Sequence, residues 1–192
     1  MKHYDINKDM RYLQLLAQSF PTVAEASTEI INLQAILNLP KGTEHFLADI
    51  HGEYEAFLHV LKNASGNIKR KVNELFGNTL REAEKRELCT LIYYPEQKLE
   101  LVKQNEPDIN DWYHITLHQL VAVCRDVSSK YTRSKVRKSL PCDFSYIIQE
   151  LLHEHAEDHD KTADVNVIVD TNISTGRADD FIIAIANVLQ RL

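Results

Sequence analysis

The chain has 192 residues, of which 44% are hydrophobic and 26% are charged, and its formal net charge is -6. A chain of this length can bury a core in one domain, or at most two small ones, without disulfide or metal support. The negative charge argues against a nucleic-acid partner. No apolar run reaches the roughly 18 residues that a membrane span requires.

Helical spacing of apolar residues dominates the chain, and five Gly and five Pro are too few for an all-β chain full of turns. The pattern predicts helices over residues 9–20 and 22–37, separated by Pro21. Further helices are predicted over residues 54–64, 68–76, 79–92, 95–102, 111–130, 143–152 and 178–192.

One short β-strand is predicted over residues 45–50, where an apolar run lies between a Pro-x-Gly break and Gly52. The alternation at residues 165–169 suits a strand, but a helix stays open there. A strand needs partners for its backbone groups. Either residues 165–169 pair with it, or its partners lie in sequence that is not present. The predicted fold class is therefore mainly α, a helical bundle-like segment with one short strand.

Asp49 and His51 carry the clearest chemical signal. On a strand they share one face, with Cα atoms about 6.5 to 7 Å apart, so both side chains can reach one metal ion. Mixed carboxylate and imidazole ligands suit Mn, Fe or Zn better than Ca or Mg. A second interpretation stays open at this point, in which the strand simply turns at Gly52 and Asp49 caps the following helix.

Four separated segments resemble one family in the same order, over residues 41–57, 65–71, 130–138 and 176–184. They resemble class III fructose-1,6-bisphosphatases, which occur mainly in low-GC Gram-positive bacteria and some anaerobes. That family is similar to calcineurin-like metallophosphoesterases. Its first motif gives an Asp and a His to a metal, and these fall on Asp49 and His51. The wider superfamily has Gly where this chain has Ala48.

The resemblance also implies what the chain lacks. The family continues with Gly-Asp-x-x-Asp-Arg-Gly and Gly-Asn-His-Asp motifs, and neither occurs here. Residues 1–192 are therefore expected to be one N-terminal segment of a larger phosphatase, a truncated form. It has a strand-turn-helix metal motif at residues 44–63 and a helical region over residues 68–192. In the full-length protein the short strand would belong to a metallophosphoesterase α/β sandwich.

The resemblance implies hydrolysis of fructose 1,6-bisphosphate to fructose 6-phosphate and phosphate, in gluconeogenesis, with manganese as the divalent metal. Asp49 and His51 are too few ligands for a catalytic site, so the chain alone is expected to be inactive, and no catalytic residue is assigned. Three widely spaced cysteines without a Cys-x-x-Cys pair predict a cytoplasmic location. An unpaired strand edge favours pairing with a second copy, which leaves a homo-oligomer open.

Two other clusters of charged or titratable residues are candidate binding sites. Arg133, Lys135 and Arg137 form a basic cluster that is either a solvated helix end or a phosphate or effector contact. His153, His155 and His159 could form a metal site, but the neighbouring acidic residues favour a solvated face.

Two alternatives to the phosphatase hypothesis stay open. One is a helical interaction or oligomerisation module with a degenerate phosphatase motif. The other is a metallophosphoesterase that acts on another substrate. The second fits the motif of Asp49 and His51 but accounts poorly for the other three matching segments.

Overall fold

The computed structural model describes residues 6–39, 44, 46–63, 65–153 and 159–192. The chain divides into two compact units, Met1–Pro40 and Lys41–Leu192. The side chains of His153, His155 and His159, which are a candidate metal site, lie outside the described part of the chain. Among the described residues no helix is both long and apolar enough to cross a membrane.

The first unit contains the helices α1 (Ile6–Ser19) and α2 (Val23–Leu37). Thr22 and Glu25 form a capping box at the start of α2: the backbone amide of Glu25 donates to Thr22 Oγ1, and that of Thr22 donates to Glu25 Oε2, each at 3.2 Å. No residue of α2 is buried. Its predicted apolar face is therefore exposed, as Val23 and Leu37 illustrate with 84% and 76% exposure.

The second unit contains nine helices among its described residues. They are α3 (Tyr54–Asn63), α4 (Asn67–Phe76), α5 (Glu82–Tyr93), α6 (Pro95–Asn105), α7 (Ile109–Ser128), α8 (Arg133–Ser139), α9 (Ser145–His153), α10 (His159–Ser174) and α11 (Ala178–Arg191). A 3₁₀ turn, Cys142–Phe144, precedes α9.

Helix α11 lies at the centre of this unit and packs against α5, α6, α7 and α10. Its apolar residues recur at helical spacing, and Phe181, Ile182 and Val188 have no exposed surface. The ring of Phe181 lies 5.2 Å from that of Phe144, which joins α11 to the 3₁₀ turn. Burying a side chain of this size contributes about 1.5–3 kcal/mol, so α11 organises the core.

The prediction of a mainly α fold is confirmed, and the predicted strand is wrong. Residues 44 and 46–50 have no regular secondary structure. A strand forms only where a neighbouring strand takes up its backbone hydrogen bonds, and no strand occurs in the described part of the chain. The ambiguous stretch 165–169 belongs to α10, because Val165 and Val169 are one helical turn apart and both are buried.

Candidate functional site

The metal motif lies on a turn that leads into α3. Asp49 and His51 have φ angles of 55° and 52°, and Gly52 follows with φ 76°. The turn closes where the backbone amide of Glu53 donates to the carbonyl of Ile50 at 3.0 Å. The predicted arrangement, with both side chains on one face of a strand, is therefore replaced by a turn-helix motif.

This backbone is unusual for two non-glycine residues. The left-handed region costs a residue with a Cβ atom about 1–2 kcal/mol, although Asp adopts it more readily than most. Backbone strain of this kind concentrates at binding and catalytic sites. Asp49 and His51 are both exposed, so burial in a core does not account for their conformation.

Neither side chain of the pair is engaged elsewhere. In the described part of the chain, Asp49 and His51 have no side-chain hydrogen-bond or ion-pair partner, so a carboxylate and an imidazole are both available to a ligand. They line an open hollow of about 270 Å³ together with Leu47, Glu53 and Phe57. The donor types fit a divalent transition metal.

The number of donors is smaller than a closed metal site requires. Across the described residues, no group of three or more His, Cys, Asp or Glu side chains is placed to hold a metal ion. Glu53 lines the same hollow without completing such a group. Catalytic metal sites use three or more protein ligands, so Asp49 and His51 by themselves are too few for one site.

A polar cluster on α3 was missed by the sequence analysis. The hydroxyl of Tyr94 lies 2.5 Å from Nδ1 of His59 and accepts a 2.9 Å hydrogen bond from Nδ2 of Asn63. Lys62 donates to the carbonyl of Tyr93 at 3.0 Å, and its ammonium lies 5.0 Å from the Tyr94 ring. These contacts fix the helix that follows the metal motif to the junction of α5 and α6.

One local signal points to this cluster. His59 and Asn63 are four residues apart and therefore lie on the same face of α3. Their partner Tyr94 is 35 residues from His59 in sequence. The spacing identifies the face, whereas the identity of the partner depends on tertiary packing.

The basic cluster from the sequence analysis is divided by the structure. Arg133 and Arg137 line a concave pocket with a volume of about 640 Å³, which we call the basic pocket. Its other lining residues include Arg125, Tyr131, Ser134 and Leu152. Lys135 does not line the basic pocket, because its ammonium lies over the ring of Tyr131, 4.0 Å from the centroid.

The fourth matching segment starts α11 and connects three helices. Asp179 accepts a 2.6 Å hydrogen bond from the hydroxyl of Tyr113 on α7. It also forms an ion pair with Lys103 on α6, at 2.5 Å. Among the described residues, its neighbour Asp180 pairs only with Arg177, at 2.8 Å. Burial, followed by the hydrogen bond to Asp179, raises the pKa of Tyr113. This segment therefore has a structural role in the second unit.

Comparison with known proteins identifies the family of the chain. Residues 11–192 match the sequence profile of the Firmicute fructose-1,6-bisphosphatase family. The chain is 76% identical over 184 residues to a class 3 fructose-1,6-bisphosphatase of Bacteroides thetaiotaomicron and 72% identical over 187 residues to that of Parabacteroides distasonis. It is 63% identical over 192 residues to one of Clostridium beijerinckii. No solved structure matches the chain.

The lengths of these relatives differ strongly from that of the chain. The matches cover 96%, 97% and 100% of this chain, but only 28% or 29% of each relative. The matched segment nevertheless includes the turn at Asp49 and His51, the basic pocket and α11. The chain therefore belongs to the Firmicute fructose-1,6-bisphosphatase family.

Proposed function

We propose that this chain is the N-terminal part of a metal-dependent fructose-1,6-bisphosphatase. The observation that carries the proposal is the 76% identity over 96% of the chain to a relative named for that activity. The proposed reaction adds water to the 1-phosphate of fructose 1,6-bisphosphate. The phosphorus–oxygen bond to the sugar breaks, which yields fructose 6-phosphate and inorganic phosphate. Such a step belongs to gluconeogenesis.

Asp49 and His51 are the proposed metal ligands. Both are exposed, and their side chains have no hydrogen-bond or ion-pair partner among the described residues. When bound, a divalent metal would lower the pKa of a coordinated water and offset charge on the phosphoryl oxygens. Manganese is the proposed metal because the family resemblance implies it; the carboxylate and imidazole donors also suit iron and zinc. The turn at Gly52 holds both donors at the start of α3, which the Tyr94 contacts anchor.

The proposal also covers the chain's setting. We place the protein in the cytoplasm, where three free cysteines stay reduced. A homo-oligomer stays a prediction, and the exposed apolar side chains of α2 are the feature that favours it. The same feature favours the alternative in which the chain is a helical interaction module with a degenerate phosphatase motif. A metallophosphoesterase that acts on another substrate is less favoured, because all the relatives cited above are named for fructose 1,6-bisphosphate.

A segment exchange tests the proposal. This chain replaces the matched 184-residue segment of the Bacteroides thetaiotaomicron relative, and phosphate release from fructose 1,6-bisphosphate is measured with manganese. The chimera should hydrolyse the substrate, and Asp49→Asn should lower its rate by about a hundredfold or more, because even losing a group that only orients a metal ligand costs 10–100-fold. Asp170→Asn is the matched control, because Asp170 is exposed on α10 and, within the described part of the chain, pairs only with His114.

Two results would count against the proposal. A folded chimera without activity would favour the interaction module. An Asp49→Asn chimera as active as the Asp170→Asn control would remove Asp49 from the metal site. The 192-residue chain alone should release no phosphate, since its described residues supply too few ligands.

A further inference from the structure

The basic pocket is a second candidate site, separate from the metal motif. It is formed by the last turns of α7, the connection that follows, α8 and the end of α9. Its volume of about 640 Å³ lies within the range of about 300–1,000 Å³ that is typical of small-molecule sites. Neither Asp49 nor His51 lines it.

The charge of the basic pocket is unusual for this protein. Arg125, Arg133 and Arg137 line it, and no Asp or Glu does so among the described residues, although acidic residues outnumber basic ones by 28 to 22 in the chain. Arg133 and Arg137 are one turn apart on α8, where like charges repel each other. A bound anion would offset that repulsion.

Three arginines elsewhere in the second unit are paired with nearby acids, whereas Arg86 and Arg191 have no ion pair among the described residues. Arg70, Arg81 and Arg177 each have a carboxylate within 4 Å, at 3.8, 2.7 and 2.8 Å. Within the described part of the chain, Arg133 and Arg137 have no such partner and are exposed. Their guanidinium groups are therefore available to a ligand.

The remaining lining residues define what else the ligand carries. Val136, Leu140 and Leu152 contribute an apolar surface, and Ser134 and Tyr131 add hydroxyl groups. Lys135 lies against the Tyr131 ring, which holds that ring at the edge of the basic pocket. A bare inorganic anion uses the arginines alone, whereas a phosphate attached to an apolar group uses both surfaces.

We propose that the basic pocket binds a small organic phosphomonoester. Arg133 and Arg137 take the phosphate oxygens, because a guanidinium group donates two parallel hydrogen bonds to such an anion. The organic part lies on the apolar surface of Val136, Leu140 and Leu152. The Nε of Arg125 donates to the carbonyl of Leu151 at 2.5 Å, which fixes that side chain between α7 and α9.

The test is calorimetric titration of the 192-residue chain with phenyl phosphate at physiological ionic strength and without added metal. Arg133→Gln and Arg137→Gln should each weaken binding about tenfold or more, since each removes charge-assisted hydrogen bonds. Lys138→Gln is the matched control, because Lys138 is also on α8, is exposed and does not line the basic pocket. This control should change affinity less than about twofold, because salt screens exposed charges.

Each outcome of the titration either supports or contradicts the proposal. Phenol, which lacks the anion, should not bind, and inorganic phosphate should bind more weakly than phenyl phosphate. Equal affinity for inorganic phosphate and phenyl phosphate would show that the organic part of the ligand does not contribute to binding. Equal weakening of binding by Lys138→Gln and Arg137→Gln would mean that affinity depends on overall positive charge and not on the basic pocket. No binding by the unaltered chain would overturn the proposal. Circular dichroism of each variant shows whether it is folded. The titration involves neither metal nor turnover, so its result is independent of the proposed phosphatase activity.

Discussion

Replacement of Asp179 by Ala should destabilise the second unit, because this one carboxylate joins α11 to both α6 and α7. Asp179 Oδ1 accepts from the Tyr113 hydroxyl and Oδ2 from the Lys103 ammonium. Asp180→Ala is the matched control. It lies in the same first turn of α11, and its one partner in the described chain is Arg177, through an exposed ion pair.

The difference between the two variants can be estimated from the contacts. A hydrogen bond to a charged group contributes about 1.5–3 kcal/mol, and the lower end applies because Tyr113 is only half-buried. An exposed pair between residues one helical turn apart, such as Arg177 with Asp180, contributes about 0.3–0.5 kcal/mol. Both variants lose the same favourable charge at the helix N-terminus, which cancels. Asp179→Ala should therefore be at least about 1 kcal/mol less stable than Asp180→Ala, because it also loses the ion pair with Lys103.

Urea unfolding followed by far-ultraviolet circular dichroism measures this difference. A double-mutant cycle of Asp179→Ala with Tyr113→Phe isolates the hydrogen bond from other effects of either change. If the two alanine variants agree within about 0.3 kcal/mol, the level at which independent sites are additive, the bridge from α11 to α7 contributes nothing. The structural role assigned to Asp179 is then wrong.

Two further predictions concern titrating side chains. Burial and Asp179 raise the pKa of Tyr113 in the folded chain. The Tyr113 hydroxyl therefore loses its proton at a lower pH in the unfolded chain than in the folded chain. Stability should therefore fall as pH rises above about 10, and urea unfolding of Tyr113→Phe should show a smaller fall; an equal fall would contradict it. Burial raises the pKa of Cys124 to about 12 and also raises that of Cys89, whereas Cys142 is exposed. A disulfide reagent should therefore label Cys142 first and Cys124 only on unfolding, and rapid labelling that persists in Cys142→Ser would contradict this.

Much of the fold follows from local sequence. Apolar residues at helical spacing predict α7 and α11 within two residues of their observed ends, since each helix buries one stripe of side chains. Cap positions are less certain, because several polar residues compete. Thr79 lies three residues before Glu82, which is the spacing of a capping box and predicts Thr79 as the cap. Its hydroxyl instead donates to the Phe76 carbonyl, and Glu84 accepts from the Arg81 amide.

The errors of sequence analysis occur where backbone or side-chain partners are distant. The apolar run at residues 45–50 is compatible with a strand, yet strand formation depends on a neighbouring strand that the described part of the chain does not contain. The alternation at residues 165–169 is compatible with both structures. It becomes helix because Val165 and Val169 are buried in the second unit.

The sequence by itself determined the mainly helical class and the family, and it identified Asp49 and His51 as candidate metal ligands, because each depends on residue types at short, fixed spacings. Only the tertiary structure decided how functional side chains combine. It separated Lys135 from Arg133 and Arg137, since residues two apart on a helix point about 200° apart. It also linked Tyr113 to Asp179, 66 residues away in sequence. Contacts of that kind form through packing of whole helices, which local periodicity does not encode.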